Sequence, residues 1–305
     1  MKNALIIQNP NSGKGIPKEV VEKFRARLTS LGIQNKLVLT KGPHHATEIV
    51  HLEKDFDVLF SLGGDGTLNE VVNGNQKRKK PMTICPLPTG SCNDVAKMLG
   101  YESDLLDNLE LALDGEVRPI DIGSINGEAF TYVVGMGKFM HIPYATSREK
   151  KKKIGYLAYL KEGIKEFFDT TKTYKSIIML DGKKISGDYS LILISNSNHI
   201  AGISNVYKDM KVDDEKFEVL LCKAKNKSSL VNSFIDFYFG NKPKQIETYQ
   251  AKDIKVILKE KPEKNWCIDG EKLEENVYCY HIEAKNKMNF LVPKNTNSKI
   301  FVHRI

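Results

Sequence analysis

Through residue 121 the chain repeats one rhythm: a short apolar run, a loop marked by glycine or proline, then a stretch with helical spacing. NALIIQNP (3–10) is predicted as a strand, and KEVVEKFRARLTSLG (18–32) as an amphipathic helix. That helix gathers Val20, Val21, Phe24, Leu28 and Leu31 on one face and stops at Gly32. KLVLT (36–40), DVLFSL (57–62) and MTICPL (82–87) are the next strands, with helices around 44–52 and over 68–74 between them. Such alternation predicts an α/β domain with a mostly parallel sheet, in which ligands sit beyond the carboxyl ends of the strands.

Beyond Asp121 the texture changes to strand-like runs parted by turns: AFTYVVGM, YKSIIMLDG, DYSLILISN, KFEVLLCK, IKVILK, NWCIDG, VYCYHIEA and MNFLVP. Two helical segments, 154–168 and 230–240, interrupt them. The second region is therefore predicted as a mainly β C-terminal domain of antiparallel strands. Expected boundaries are 1–121 and 122–295, with KIFVHRI near the end as one more strand and 296–305 as a segment that could return to the first domain.

At 305 residues two cores of ordinary size are affordable, and no apolar run approaches the roughly 20 residues that span a bilayer. The N-terminus lacks a secretory pattern, so a cytoplasmic protein is expected. Five scattered cysteines with no CxxC pair argue against a disulfide framework or a zinc site, and the seven histidines offer only the adjacent pair His44 and His45. Charge is more informative once divided. Residues 1–121 carry a net charge of −1 and residues 122–305 a net charge of +9, which points the second region towards an anionic partner such as a membrane surface or nucleic acid. A generally lysine-rich surface is the alternative.

Three loops fall at predicted strand ends. NPNSGKG (9–15) can offer the backbone N–H groups of Ser12, Gly13 and Gly15 to phosphate, although an ordinary glycine turn has the same composition. In SLGGDGTLNEVVNG (61–74), Gly63 and Gly64 allow a tight bend and close approach, while the helix opening near Thr67 and Leu68 favours negative charge. Asp65 would repel a phosphate there unless Mg²⁺ lies between them, because hard cations take both kinds of oxygen. The alternative is that Asp65 caps the helix. PLPTGSCNDVAK (86–97) supplies Thr89, Ser91 and Asn93 as polar donors and Asp94 at a helix start.

In order and spacing these loops resemble the soluble bacterial family of diacylglycerol kinase-like lipid kinases, which is related to sphingosine and ceramide kinases. The resemblance covers essentially the whole chain, with Ser91 and Val95 as mild departures in the third loop. It implies that residues 1–121 form the nucleotide-binding catalytic domain and that residues 122–295 form the lipid-substrate domain. It further implies ATP contacts from Asn9, Pro10, Asn11, Ser12, Gly13, Thr40, Gly63, Gly64, Asp65, Gly66, Thr67, Leu68, Asn69 and Ser91. NWCIDGEKLE (265–274) is similar to the family's DGE motif. At i and i+2 of an extended segment, Asp269 and Glu271 would face the same way and divide the work of base and metal partner. Without the resemblance, the same letters read as a hairpin turn with a flanking acid. KDMKVDDEKFEVLL (208–221) resembles the loop that holds a structural Mg²⁺, through the carbonyls of Lys211 and Lys216 and the carboxylate of Asp214, with Glu215 standing where the family has glycine. Asp121 matches an aspartate at the interdomain crossing, where it would orient a base or brace the crossing.

A lipid kinase without a membrane span works at a surface. REKKKK (148–153), followed by the apolar helix 154–168, supplies lysines for anionic headgroups and a face for shallow insertion, although a core helix has the same pattern. The expectation is thus an ATP- and Mg²⁺-dependent lipid kinase, peripheral to the inner face of the membrane, with no nucleic-acid partner and with a sheet edge that could support a homodimer. The competing readings are a NAD kinase-like enzyme, which shares GGDGT but continues differently after PTGS, and a nucleotide-regulated binding protein without enzymatic activity.

Overall fold

The computed structural model describes residues 1–53, 56–102, 104–137, 172–200, 206–207, 209–224, 226, 229, 233, 236–237, 239–294, 296 and 298–302. The charge run 148–153 and the helix expected over 154–168 lie outside the described residues, as does most of 230–240.

The first region folds as alternating strands and helices: β1 (Asn3–Gln8), α1 (Lys18–Ser30), β2 (Gln34–Leu39), α2 (His45–Leu52), β3 (Val58–Gly63), α3 (Asp65–Gln76), β4 (Thr83–Pro88), α4 (Asp94–Met98) and α5 (Leu105–Leu113). The strands pair in parallel in the order β2-β1-β3-β4. Every residue of β3 is buried, as expected of a central parallel strand covered on both faces. Phe24 and Leu28 of α1 are fully buried, and Phe24 meets Phe60 of β3 edge to face at 5.3 Å. Helix α5 has no counterpart in the sequence reading. Its N-cap Asp104 accepts hydrogen bonds from the N–H groups of Leu106 and Asp107.

The second region begins with β5 (Glu116–Ile125), so the boundary expected after Asp121 falls inside a strand. It continues with β6 (Glu128–Phe130), β7 (Val133–Gly137), β8 (Tyr174–Leu180), β9 (Lys183–Tyr189), β10 (Leu191–Ser195), β11 (Phe217–Cys222), β12 (Ile246–Ala251), β13 (Asp253–Leu258), β14 (Cys267–Ile268), β15 (Glu271–Lys272) and β16 (Cys279–Val292). Strands β12-β11-β10-β7-β14-β15 form a separate sheet, antiparallel throughout. The remaining strands extend the first sheet, whose order is β2-β1-β3-β4-β16-β13-β8-β9 with β5 and β6 attached to β16.

Strand β16 joins the two regions. Its first half pairs with β13, and near its end Phe290 pairs with Ile84 of β4. A register shift between Ala284 and Asn286 separates these halves against β5. One core forms under the parallel strands and includes Met288, Phe290 and Val292. The second lies between the two sheets, around Trp266, Tyr280, Phe130 and Phe217. KIFVHRI is not a strand over its described part: Ser298–Ile300 is a 3-10 turn, and Ile300 and Phe301 pack into the first core. Among the described residues no helix is long and apolar enough to cross a membrane.

Candidate active site

The carboxyl ends of β1, β3 and β4 bring the three glycine loops into mutual contact. A Cβ on Gly90 would sit 2.5 Å from Gly64 Cα and 2.8 Å from Asn93 Oδ1, so the second and third loops touch backbone to backbone. Gly13, at φ 53°, faces the Thr89 carbonyl so closely that a side chain there would collide with it. Side chains hold the loops in place. Asn9 Nδ2 donates to Thr67 Oγ1 at 3.0 Å, while its Oδ1 accepts from Asn11 N. Asn93 closes its own turn in both directions, accepting from Gly90 N at 2.9 Å and donating to Gly90 O at 3.0 Å. Thr40 stands at the end of β2, its N–H bonded to Gln8 O of the neighbouring strand. Ser91 is exposed at the rim of the third loop.

Asp65 does not cap α3. Gly64 is the N-cap and Asp65 opens the first helical turn, with its Oδ1 accepting from Val95 N at 3.4 Å across to α4. Burial pushes its carboxyl up to about 7, and the neighbouring carboxylates of Asp94 and, more weakly, Asp269 add to the effect. Tyr132, itself buried, feels the same three carboxylates and keeps its proton. The donor set therefore suits a divalent cation: a half-buried and two buried acids that repel each other, beside a cradle of N–H groups for phosphate. Among the described residues no group of three or more acidic, His or Cys side chains is arranged to hold a metal.

The DGE segment reaches the same place by a geometry different from the expected one. Asp269 and Gly270 both have positive φ, 47° and 85°, and form the two-residue turn of a hairpin in which Ile268 pairs with Glu271. This is a type I′ turn, so Asp269 and Glu271 do not share one face of an extended strand. Asp269 turns inward and is only 1% exposed. Its Oδ2 accepts from Thr131 N, Thr131 Oγ1 and Asn69 Nδ2 at 2.6, 2.7 and 2.9 Å, and its Oδ1 from Tyr132 N and Val133 N at 3.0 and 3.1 Å. Burial raises its pKa while these donors pull it back. With five donors on its two oxygens, Asp269 has the surroundings of a structural anion that ties the hairpin to α3 and to the 131–133 bend.

Glu271 remains exposed, and its Oε1 lies 2.9 Å from where a Cβ on Gly66 would stand. A carboxylate thus rests against the first turn of α3, beside Asp65 and beyond the glycine loops.

Two contributors escaped the sequence reading. Glu70, within the GGDGTLNE motif, accepts from His44 N and Ala46 N at 2.9 and 3.0 Å, clamping the start of α2 and the loop after Thr40. The N–H groups of Thr131, Tyr132 and Val133 were hidden because AFTYVVGM reads as one strand, whereas β6 and β7 belong to different sheets. Lys211, Asp214 and Lys216 lie in the loop before β11, which packs against Asp121: Asp121 N donates to Val212 O at 2.8 Å and Asp121 Oδ2 accepts from Glu215 N at 2.5 Å.

Residues 3–125 match the family model described as Diacylglycerol kinase catalytic domain. A diacylglycerol kinase of Bacillus subtilis is 30% identical over 276 residues, covering 89% of this chain and 90% of its own. The chain belongs to the diacylglycerol kinase family. A diacylglycerol kinase of Staphylococcus epidermidis is 29% identical over 272 residues, covering 88% of this chain and 86% of its own. The fold of this kinase is shared with a crystal structure of a diacylglycerol kinase from Bacillus anthracis, at TM-score 0.75 and 23% identity, covering 97% of this chain and 99% of the other.

In this diacylglycerol kinase family member the contact between Gly66 and Glu271 makes a direct test. Gly66→Ala places a methyl against Oε1 but meets no backbone, so the glutamate must swing aside. If Glu271 is the base, the expected result is a kcat lower by about tenfold or more with an unchanged thermal midpoint, since moving a reacting group by about 1 Å costs up to about 10²-fold. Steady-state kinetics beside a melting curve check it.

Proposed function

We propose that this kinase transfers the γ-phosphoryl group of ATP to a lipid hydroxyl, with diacylglycerol or a related glycerolipid as acceptor and phosphatidic acid or its analogue as product. The observation that carries the reading is the Glu271 carboxylate resting on the first turn of α3, where the three glycine loops meet. The loops from Asn9 to Gly13 and Gly63 to Asn69, with Thr40 and Ser91 beside them, cradle the nucleotide. The N-terminal N–H groups of α3 face its phosphates. The lipid hydroxyl oxygen attacks the γ-phosphorus, its proton passes to Glu271, and the bond from phosphorus to the ADP oxygen breaks. Mg²⁺, held by Asp65 and Asp94 together with phosphate oxygens, would neutralise charge on the transferring group. Asp269 keeps the hairpin, and hence Glu271, in place.

The diacylglycerol kinases of Bacillus subtilis and Staphylococcus epidermidis, similar to this chain over most of its length, support a diacylglycerol acceptor. Incubation with labelled ATP, Mg²⁺ and a panel of dispersed lipids, with chromatography of the products, tests it. Label appearing in phosphatidic acid when diacylglycerol is supplied supports the reading. Label in NADP when NAD is supplied, with none in lipid, overturns it.

Work at the inner face of the membrane follows from a lipid acceptor, and the lysines of 148–153 are the proposed means of attraction. Lysines near an anionic surface contribute about 1 kcal/mol each. Charge reversal at Lys150, Lys151, Lys152 and Lys153 is therefore expected to weaken binding to anionic vesicles by about tenfold or more, while turnover on detergent-dispersed lipid changes little. Vesicle sedimentation that pulls down variant and parent equally excludes this role.

A further inference from the structure

We infer that the ammonium group of Lys287, rather than a structural divalent cation, neutralises the acidic loop before β11. This loop concentrates acid. Asp213, Asp214 and Glu215 follow one another, and Asp121, 1% exposed, stands against them from β5. A buried carboxylate beside three more needs a compensating cation.

The chain supplies one. Lys287 of β16 is the direct cross-strand partner of Asp121 on β5, so both side chains leave the sheet on the same side. Its Nζ donates to Asp213 O at 2.6 Å and lies 3.6 Å from Asp121 Oδ1 and 3.8 Å from Glu215 Oε1. One hydrogen bond and two longer ionic contacts suit an ammonium, whereas Mg²⁺ demands oxygen ligands near 2.0–2.1 Å. Other acceptors of the loop are also served by the protein. Asp214 Oδ1 accepts from Lys216 N at 3.1 Å, and Asp213 Oδ1 accepts from Val302 N at 2.8 Å. Of the atoms expected to ligate a metal here, one carboxylate oxygen of Asp214 is thus already taken by a protein donor.

Glu215 completes the arrangement. It occupies φ 62°, a conformation that glycine adopts freely, which explains why glycine can stand at this position. As glutamate it adds a carboxylate that pairs with Lys252 at 2.8 Å and faces Lys287. The replacement of glycine and the lysine on β16 form one device: a negative charge added to the loop, and a covalently tethered cation to meet it.

The test is thermal unfolding of the nucleotide-free full chain in EDTA and in millimolar Mg²⁺. It is run in an Asp65→Asn background to remove the cation expected at the nucleotide. The expected midpoint is the same in both buffers. Lys287→Met is expected to lower it by several degrees in EDTA and to make it rise with Mg²⁺, as the vacated acidic loop accepts a metal. A midpoint that already falls in EDTA with Lys287 in place and recovers with Mg²⁺ overturns the inference. Should Lys287→Met fail to fold, Asp214→Asn decides: no Mg²⁺ response before or after that change agrees with the lysine, and a response that Asp214→Asn abolishes assigns the loop to a metal.

Discussion

Glu271→Gln is expected to lower kcat by about 10²–10⁴ while leaving the KM for ATP nearly unchanged, the loss typical when a positioned general base is removed. The amide fills the same space against Gly66, so the hairpin and the nucleotide loops stay as they are. What disappears is the proposed acceptor for the hydroxyl proton. The contrasting variant is Asp269→Asn, which would turn an acceptor-only group facing five donors into one carrying its own N–H groups. That change should depress the thermal midpoint as well as the rate. Kinetics and melting measured on both variants separate a base from an anchor; a rate loss confined to Asp269→Asn, with Glu271→Gln fully active, would reassign the chemistry.

Asp65→Asn is expected to stop turnover and yet to stabilise the nucleotide-free protein at alkaline pH. Asp65 is half-buried, and its carboxyl is pushed up to about 7 by the loss of water around it and by Asp94. The folded chain therefore binds this proton more tightly than the unfolded chain does. Stability is greatest below the ordinary carboxylate range, falls as pH rises towards about 7, and has lost the whole contribution above it. At about 1.4 kcal/mol per pH unit the loss has an upper bound of about 4 kcal/mol. Asparagine cannot ionise, so the variant should melt several degrees higher than the parent at pH 8 in EDTA, and the gap should close towards pH 4. Melting curves across that range check the prediction. A variant that melts lower than the parent at pH 8 would mean that Asp65 is held as an anion without a cation.

The glycine loops were legible in the sequence because their causes are local. A strand end, a bend that tolerates no side chain and a helix start all lie within a few residues, as in Gly63 to Leu68. The partners of Asp269 were not legible. Thr131 and Tyr132 carry no glycine or proline to mark a bend; they leave the strand path to donate to a carboxylate that arrives 138 residues later. The mutual orientation of Asp269 and Glu271 was misjudged for the converse reason. Alternation along a strand holds only for extended backbone, and Asp269 with Gly270 has the two positive φ values of a turn. VYCYHIEA and MNFLVP looked like two strands because the polar run between them resembles a loop, yet β16 passes through it by shifting register between Ala284 and Asn286.

That single long strand sets the order in which the molecule can be completed. The edge of β4 is covered by Phe290, and Met288, Phe290, Val292 and Phe301 fill the core beneath the parallel strands. During synthesis the first 125 residues emerge with every glycine loop written into them, but with one strand edge open and part of their core still unmade. Only when Cys279–Val292 has left the ribosome can β16 insert between β4 and β13, finishing the two regions in the same step. The segment that carries the family's most recognisable motifs is consequently not a folding unit by itself, and a nascent chain truncated before β16 would expose a sticky parallel edge in place of a nucleotide site.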